Sequence, residues 1–563
     1  MEKWQDKGLG AWLKGLQGID WGSDDADRAL IENASQLITK HARDTNDLAD
    51  SQSFERQPAA FDALFDALAV PSGQGGDAGE REGWAAEPAA PKPPGADLTE
   101  LSLTELAQAI ADRRVSSREA TQACLDIFEA HGARLNLVAA IDPEAALADA
   151  DAADTALVSQ GPAGRLHGVP LAHKDMFYRT GRVSGCGSKI LADFRPDHTA
   201  TVLDRLDRAG ALDIARLNMV EFAFGTTGHN SVTGDVRNPW NADHITCGSS
   251  SGPGAAIAAR AIFGALGSDT GGSIRLPASC CGVVGLKATS GRVSRHGAMP
   301  LCFTLDTVGP MARTVADVAT LLGVIAGHDP ADPVSAARPV PDYLGELEDG
   351  VAGLKIAVPE NYFYDPVGDD VGGILQASLD LLAKLGAELV PVTIPGIERA
   401  NGLTTLIIMA EAASYHRKWI AARHADYGPQ TLSRLVPGLA IPATVYMEAL
   451  NLRHRIMAEF AAAVFDHADI LHLPMLPVPV PRFDAFEAPG TPSFLEIVVA
   501  LGHCTRPANF LGLPALSMPA GFTADGLPAA FQLVGRPFDE ATLLRAARAF
   551  ERETGITDKR PKL

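Results

Sequence analysis

The chain has 563 residues, 46% hydrophobic and 21% charged, a balance that excludes a disordered or fibrous protein and allows a large core. Its 48 Lys and Arg stand against 69 Asp and Glu, a net charge of −21 that repels phosphate backbones and acidic membrane surfaces and argues against nucleic acid and membrane as partners. Seven scattered cysteines without a C-x-x-C pair, no visible secretory signal and no spanning-length apolar run of about 18 residues predict a cytoplasmic protein.

Residues 1–70 predict a helical extension. Leu30, Ala34, Leu37 and Ile38 recur at helical spacing, and Phe61, Leu64, Phe65 and Leu68 do so again after Pro58. Helices this few bury little among themselves, so their apolar faces predict docking on the main body or on a second copy of the chain, a homo-oligomer. Residues 71–96 hold five Pro and six Gly in 26 positions and read as a linker.

From 97 to 563 one large domain follows. Ser102 with Glu105 and Ser116 with Glu119 have capping-box spacing and open two helices. Short β-like runs then alternate with helical stretches, beginning at 135, 168, 210, 354, 387, 468 and 514. That rhythm predicts an α/β fold, one sheet covered by helices on both faces. Residues 351–397 read as strand, helix, strand in a later part of that sheet.

The densest run of small residues lies at 246–285. Gly248 to Gly252 fits the G-x-S-x-G nucleophile elbow, but the preceding segment is a polar turn with Pro239 where an elbow needs an apolar strand, so that reading is rejected. No phosphate-loop glycine pattern is present there. Ser273 follows the paired glycines Gly271 and Gly272, which let backbone N–H groups converge on one point, as an oxyanion hole requires. A serine at its free pKa is a weak nucleophile, so a base is needed, either a histidine or a lysine held neutral.

The stretches G-S-S-S-G-P-G-A-A from 248 and S-D-T-G-G-S-I-R-L-P-A from 268 resemble the amidase signature family, together with Gly168-Val169-Pro170 leading to Lys174-Asp175. The resemblance runs from about Leu98 to Glu553 and includes Asn218 to Phe222, Asn238-Pro239-Trp240, Pro507-Ala508-Asn509 and Gln532 to Arg536. It implies the amidase-signature fold with a central mixed β-sheet, Ser273 as nucleophile, Ser249 as proton relay after a cis peptide bond from Gly248, and Lys174 as base. A neutral Lys174 requires lowering its pKa from about 10.4 towards 7, a differential cost of roughly 4 to 5 kcal/mol.

The oxyanion donors are then the backbone N–H groups of Thr270, Gly271, Gly272 and Ser273. Ser250, Asp269 and Arg275 are supporting groups, the last two as a structural ion pair or as an electrostatic aid. His173 beside Lys174 points to the other face of a strand and reads as structural. Cys280-Cys281 and His503-Cys504 lack metal-ligand spacing and read as buried thiols.

The implied function is an amidase that hydrolyses the carbon–nitrogen bond of a linear amide, or of a related carbamate or urea-type small molecule, through an acyl-Ser273 intermediate, with neither metal nor organic cofactor. One alternative is a glutamine-hydrolysing A-type amidotransferase subunit that passes ammonia to a partner; the helical leader loosely resembles the small helical subunit of such an assembly. A second alternative is a non-catalytic scaffold of the same family.

Overall fold

The computed structural model describes residues 59–69, 97–488 and 491–563. The predicted helical stretch at 30–38 and the linker at 71–96 lie outside the described residues.

Both capping boxes form. Ser102 accepts from Glu105 N–H and opens the helix Leu103–Ala111, and Ser116 does the same with Glu119 for Ser117–Ile127. In each case the glutamate reaches back to the serine N–H, so two otherwise orphaned donors are satisfied at each helix start.

Eleven strands are described. They are β1 (Val138–Ile141), β2 (Pro170–Lys174), β3 (Leu212–Leu217), β4 (Gly264–Asp269), β5 (Val284–Lys287), β6 (Thr307–Ala312), β7 (Lys355–Pro359), β8 (Glu388–Val392), β9 (Ile470–Pro474), β10 (Ala515–Phe522) and β11 (Pro528–Gly535). The one expected sheet is two hydrogen-bonded sheets. A small one has the order β1-β3-β2, and a large one runs β4-β6-β5-β10-β11-β9-β7-β8. The large sheet is mixed: β7 pairs parallel with β8 and β9, and the remaining neighbours pair antiparallel.

The two sheets meet at β2 and β4 through side chains. Leu266 N–H on β4 donates to His173 Nδ1 on β2 at 3.1 Å. Helices flank the large sheet: Asp369–Lys384 and Glu540–Thr554 pack on β10 and β11, and Arg275–Cys281 packs on β5, β10 and β11. Every residue of β11 is buried, so the core is centred on the long β10–β11 pair.

Four strands are additional to the sequence expectation: β4, β5, β6 and β11. Strand β4 lies inside the small-residue run and ends at Asp269, directly before the turn carrying Ser273. The helix Ala59–Leu68 lies on the main body. Phe61 and Phe65 stack with ring centres 5.7 Å apart, Phe65 meets Phe538 edge-on at 6.0 Å, and the Arg453 guanidinium sits 4.2 Å from the centre of Phe61. An ion pair of 3.0 Å joins Asp66 to Arg338.

Candidate active site

Lys174 is the last residue of β2, at the seam between the sheets, and is wholly buried. Its Nζ lies 2.7 Å from Ser249 Oγ and 2.9 Å from Ser268 Oγ, the latter on β4. Burial pulls the Lys174 pKa down to about 7, against the charges of Asp306 and Asp269, which raise it. A fully enclosed ammonium has lost its hydration, and the hydroxyls facing it replace only part of it. Close to neutral pH this lysine therefore exists in part as the free amine.

Ser249 follows a cis peptide bond from Gly248. A Cβ on Gly248 would meet Val220 Cγ2 at 2.7 Å and Gly225 O at 3.0 Å, so only glycine fits there. The two serine loops are tied by the Ser250 N–H bond to Ser273 O at 3.2 Å, and Ser250 Oγ donates to Ser268 O at 3.4 Å. Ser273 keeps 5% exposure, whereas Lys174 and Ser249 keep none. Of the three, Ser273 is the residue that keeps any exposure.

The 270–273 turn is held from beneath by Asp269. Its Oδ1 accepts from Gly272 N–H at 2.8 Å and Asn509 Nδ2 at 2.8 Å, and its Oδ2 accepts from Ile274 N–H at 3.2 Å. Arg275 Nε lies 3.0 Å from Oδ2, with both side chains fully buried, and the guanidinium also donates to Gln532 Oε1 at 2.8 Å and Asn509 Oδ1 at 2.7 Å. Burial alone would raise the Asp269 pKa. The Arg275 charge and hydrogen bonds outweigh it and hold the carboxyl well below the usual range.

Two further contacts fix the turn. Thr505 Oγ1 donates to Gly271 O at 2.8 Å, and Thr270 Oγ1 donates to Asp306 Oδ1 at 2.5 Å. At Gly272, φ is +120° and a Cβ would meet Thr505 Oγ1 at 2.5 Å, so this position requires glycine twice over.

Lys174, Ser249 and Ser250 are thus brought together, with Asp269, Arg275 and the 270–273 turn tied to them. Gly272 N–H is already engaged by Asp269. His173 points away from Lys174, accepts the Leu266 N–H bond, and is drawn down by burial to about 4. Cys280, Cys281 and Cys504 are buried free thiols. Sequence reasoning did not single out Asp306 or Thr505, and it named Ser268 and Asn509 only as members of motifs, without a role. Their roles arise from contacts across the fold.

Fold and site together define an enzyme that uses serine chemistry to hydrolyse carbon–nitrogen bonds. Residues 119–544 match the family model Amidase. The chain is 40% identical over 490 residues to the A-type subunit of glutamyl-tRNA(Gln) amidotransferase from Moorella thermoacetica, covering 83% of this chain and 99% of that protein. Among solved structures, it is similar to a protein from a vestigial complex bearing on the origins of an s-triazine catabolic enzyme, at 32% identity and a TM-score of 0.75, over 82% of this chain and 100% of that one. The corresponding Thermotoga maritima amidotransferase subunit is similar at 31% identity and a TM-score of 0.68, over 81% and 95%. The chain belongs to the amidase signature family. The non-catalytic alternative is accordingly set aside.

Proposed function

We propose that Ser273, Ser249 and Lys174 act as nucleophile, relay and base in cleaving an amide through an acyl-Ser273 intermediate. The observation that carries this reading is the 2.7 Å contact between the Ser249 hydroxyl and the buried Lys174, a lysine close to half-neutral at pH 7. Neutral Lys174 takes the Ser249 proton as Ser249 takes that of Ser273, and Ser273 Oγ attacks the carbonyl carbon. The oxyanion then rests on N–H groups of the turn: Thr270, Gly271 and Ser273 carry the role, while Gly272 N–H joins only by sharing with Asp269. The proton returns through Ser249 to the leaving nitrogen, and water hydrolyses the acyl-enzyme. Ser250, Asp269 and Arg275 keep the turn in shape.

Of the two substrate readings drawn from the sequence, the amidotransferase relatives favour the glutamine-hydrolysing one. The likeness to the protein of the s-triazine-related complex keeps hydrolysis of a small amide, carbamate or urea-type compound as the second reading. In either case the substrate is a small-molecule amide, residues 97–563 form the catalytic domain, and the helical extension and linker precede it. No single described helix is long and apolar enough to cross a membrane. The seven unpaired cysteines accord with a cytoplasmic location.

Ammonia release by the purified chain from L-glutamine, set against a panel of simple amides, carbamates and ureas, separates the two readings. Faster release from glutamine supports the first, and faster release from the panel supports the second. Ser273→Ala is expected to abolish release from both, and a variant as active as the parent would remove the mechanism.

A further inference from the structure

Glu411 is buried on the helix Glu398–Arg423 and takes no part in the proton relay. Its carboxylate is nonetheless filled with donors. Oε2 accepts from Cys302 Sγ at 3.1 Å and from Thr304 N–H at 3.0 Å, while Oε1 accepts from the Thr304 hydroxyl and from Tyr446 OH at 2.7 Å. Burial and the facing carboxylate push the Cys302 thiol well above its ordinary pKa, so the thiol keeps its proton and donates it. An ionised carboxyl taken out of water needs its lone pairs met, and here the loop 301–306 meets most of them.

That loop leads straight to the site. Its last residue, Asp306, stands directly before β6, where Thr307 pairs with Asp269 on β4 and donates its hydroxyl to Asp269 O at 2.8 Å. Asp306 Oδ2 accepts from Leu301 N–H and Cys302 N–H, both at 2.9 Å, and its Oδ1 takes the Thr270 hydroxyl. Cys302 is therefore held at both ends, by its N–H to Asp306 and by its thiol to Glu411. The helix of Glu411 also touches the turn directly: one turn earlier, Ile408 Cδ1 lies 3.6 Å from where a Cβ on Gly271 would stand. Three groups act on the Lys174 charge from different segments, Asp306 most strongly, then Asp269 and Cys186, and Asp306 is itself faced by Arg295.

A buried carboxylate adds little net stability compared with a well-packed apolar side chain, but its directed hydrogen bonds fix the groups around it. Phe303, between the two residues that Glu411 holds, is 55% exposed, so its ring does not anchor this part of the loop. The hydrogen bonds do. We propose that Glu411 is a positioning residue for acyl transfer: it fixes the 301–306 loop so that Asp306 keeps hold of Thr270 in the oxyanion turn and stays beside Lys174. This rests on the acyl-Ser273 reading and extends it to a side chain that acts only through other residues.

The test uses the full chain and follows the rate of Ser273 labelling by an alkyl fluorophosphonate against pH, corrected for the number of sites finally labelled. Glu411→Gln keeps the size of the side chain but turns half of its acceptor positions into donors. It is expected to lower the plateau rate at least tenfold, since oxyanion donors work only when aimed, and to move the low-pH limb down by about half a pH unit as Asp306 leaves the Lys174 ammonium. Thr304→Val keeps the Glu411 charge and removes a hydroxyl that it holds, and both changes are expected again, with at least a threefold fall in the plateau. In an Asp306→Asn protein, Glu411→Gln should shift the limb no further. A Glu411 that merely supports the fold would lower the melting temperature and leave plateau and limb of the labelled sites as in the parent; that result in either folded variant overturns the proposal. A further limb shift in the Asp306→Asn background overturns it as well, because the Glu411 charge would then act on Lys174 without the loop. Absent labelling of the parent, or labelling that persists in Ser273→Ala, instead overturns the acyl-Ser273 reading beneath it.

Discussion

Lys174 Nζ stands 2.7 Å from Ser249 Oγ with neither residue reaching solvent. Since a base must be neutral to accept a proton, and burial brings Lys174 to about 7, kcat/KM should rise with pH through an ionisation near 7 and then level off. Two other buried groups titrate in the same range: burial pushes Asp175 up to about 7 and pulls Lys287 down to about 7. His173, near 4, is already neutral there. Asp175→Asn, Lys287→Met and His173→Gln should therefore each retain the low-pH limb, and Lys174→Ala should remove it from whatever activity survives. A limb that vanishes with Asp175 or Lys287 would assign it to that group.

Ser268 provides a second test of the same lysine. Its Oγ lies 2.9 Å from Lys174 Nζ and has no counterpart in the relay. An acceptor facing an ammonium stabilises the charged form, so Ser268→Ala should move the low-pH limb downward, by less than about one pH unit for a bond worth about 1 kcal/mol. Activity should fall at the same time, because the amine loses one of its two anchors. A pH–rate profile that does not move would show that Ser268 leaves the Lys174 equilibrium untouched.

The Asp269–Arg275 pair should govern stability. Both side chains are fully buried, and breaking such a pair costs about 3 to 5 kcal/mol because the remaining charge is left uncompensated. Asp269→Asn should therefore melt well below the parent at pH 7. The folded-state pKa of Asp269 is depressed, so its contribution is complete above the unfolded value of about 4 and is lost as pH falls towards the folded value. The gap between parent and variant should accordingly narrow in acid. Equal melting temperatures at pH 7 would mean that the pair does not support the turn.

The parts of this molecule legible in the sequence are those set by local chemistry. The Ser102–Glu105 and Ser116–Glu119 boxes are decided within four residues, and the apolar runs behind β7, β8, β9 and β10 announce themselves by composition. Strand β4 does not, because its sequence GALGSD is packed so closely that side chains have no room. A Cβ on Gly267 would meet Ser250 Oγ at 2.7 Å, so glycine stands where a strand pattern would ask for a branched residue. Lys174, Ser249 and Ser273 stand out through motif and spacing. Asn509 stands 240 residues from Asp269, and only the fold brings its amide to that carboxylate.

The helix Ala59–Leu68 yields the last expectation. Its Phe61 and Phe65 cover Phe538 and the face of Arg453, whose Nε donates to Phe510 O at 2.7 Å beside the helix that begins with Arg506. A chain starting at residue 97 should keep Lys174, Ser249 and Ser273 assembled, since the hydrogen bonds that hold them run to β4 and the serine loops and not to that helix. It should also expose the apolar surface that the two aromatic rings now bury, and such a surface promotes association. Light scattering should therefore show a larger or less uniform particle for the truncated chain, while fluorophosphonate labelling of Ser273 continues. Phe65→Asp in the full chain separates loss of the contact from loss of the segment. Placing a carboxylate against Phe538 should release the helix and give the same change in size. Identical particle sizes for the parent, truncated and Phe65→Asp proteins would mean that the docked helix does not control association.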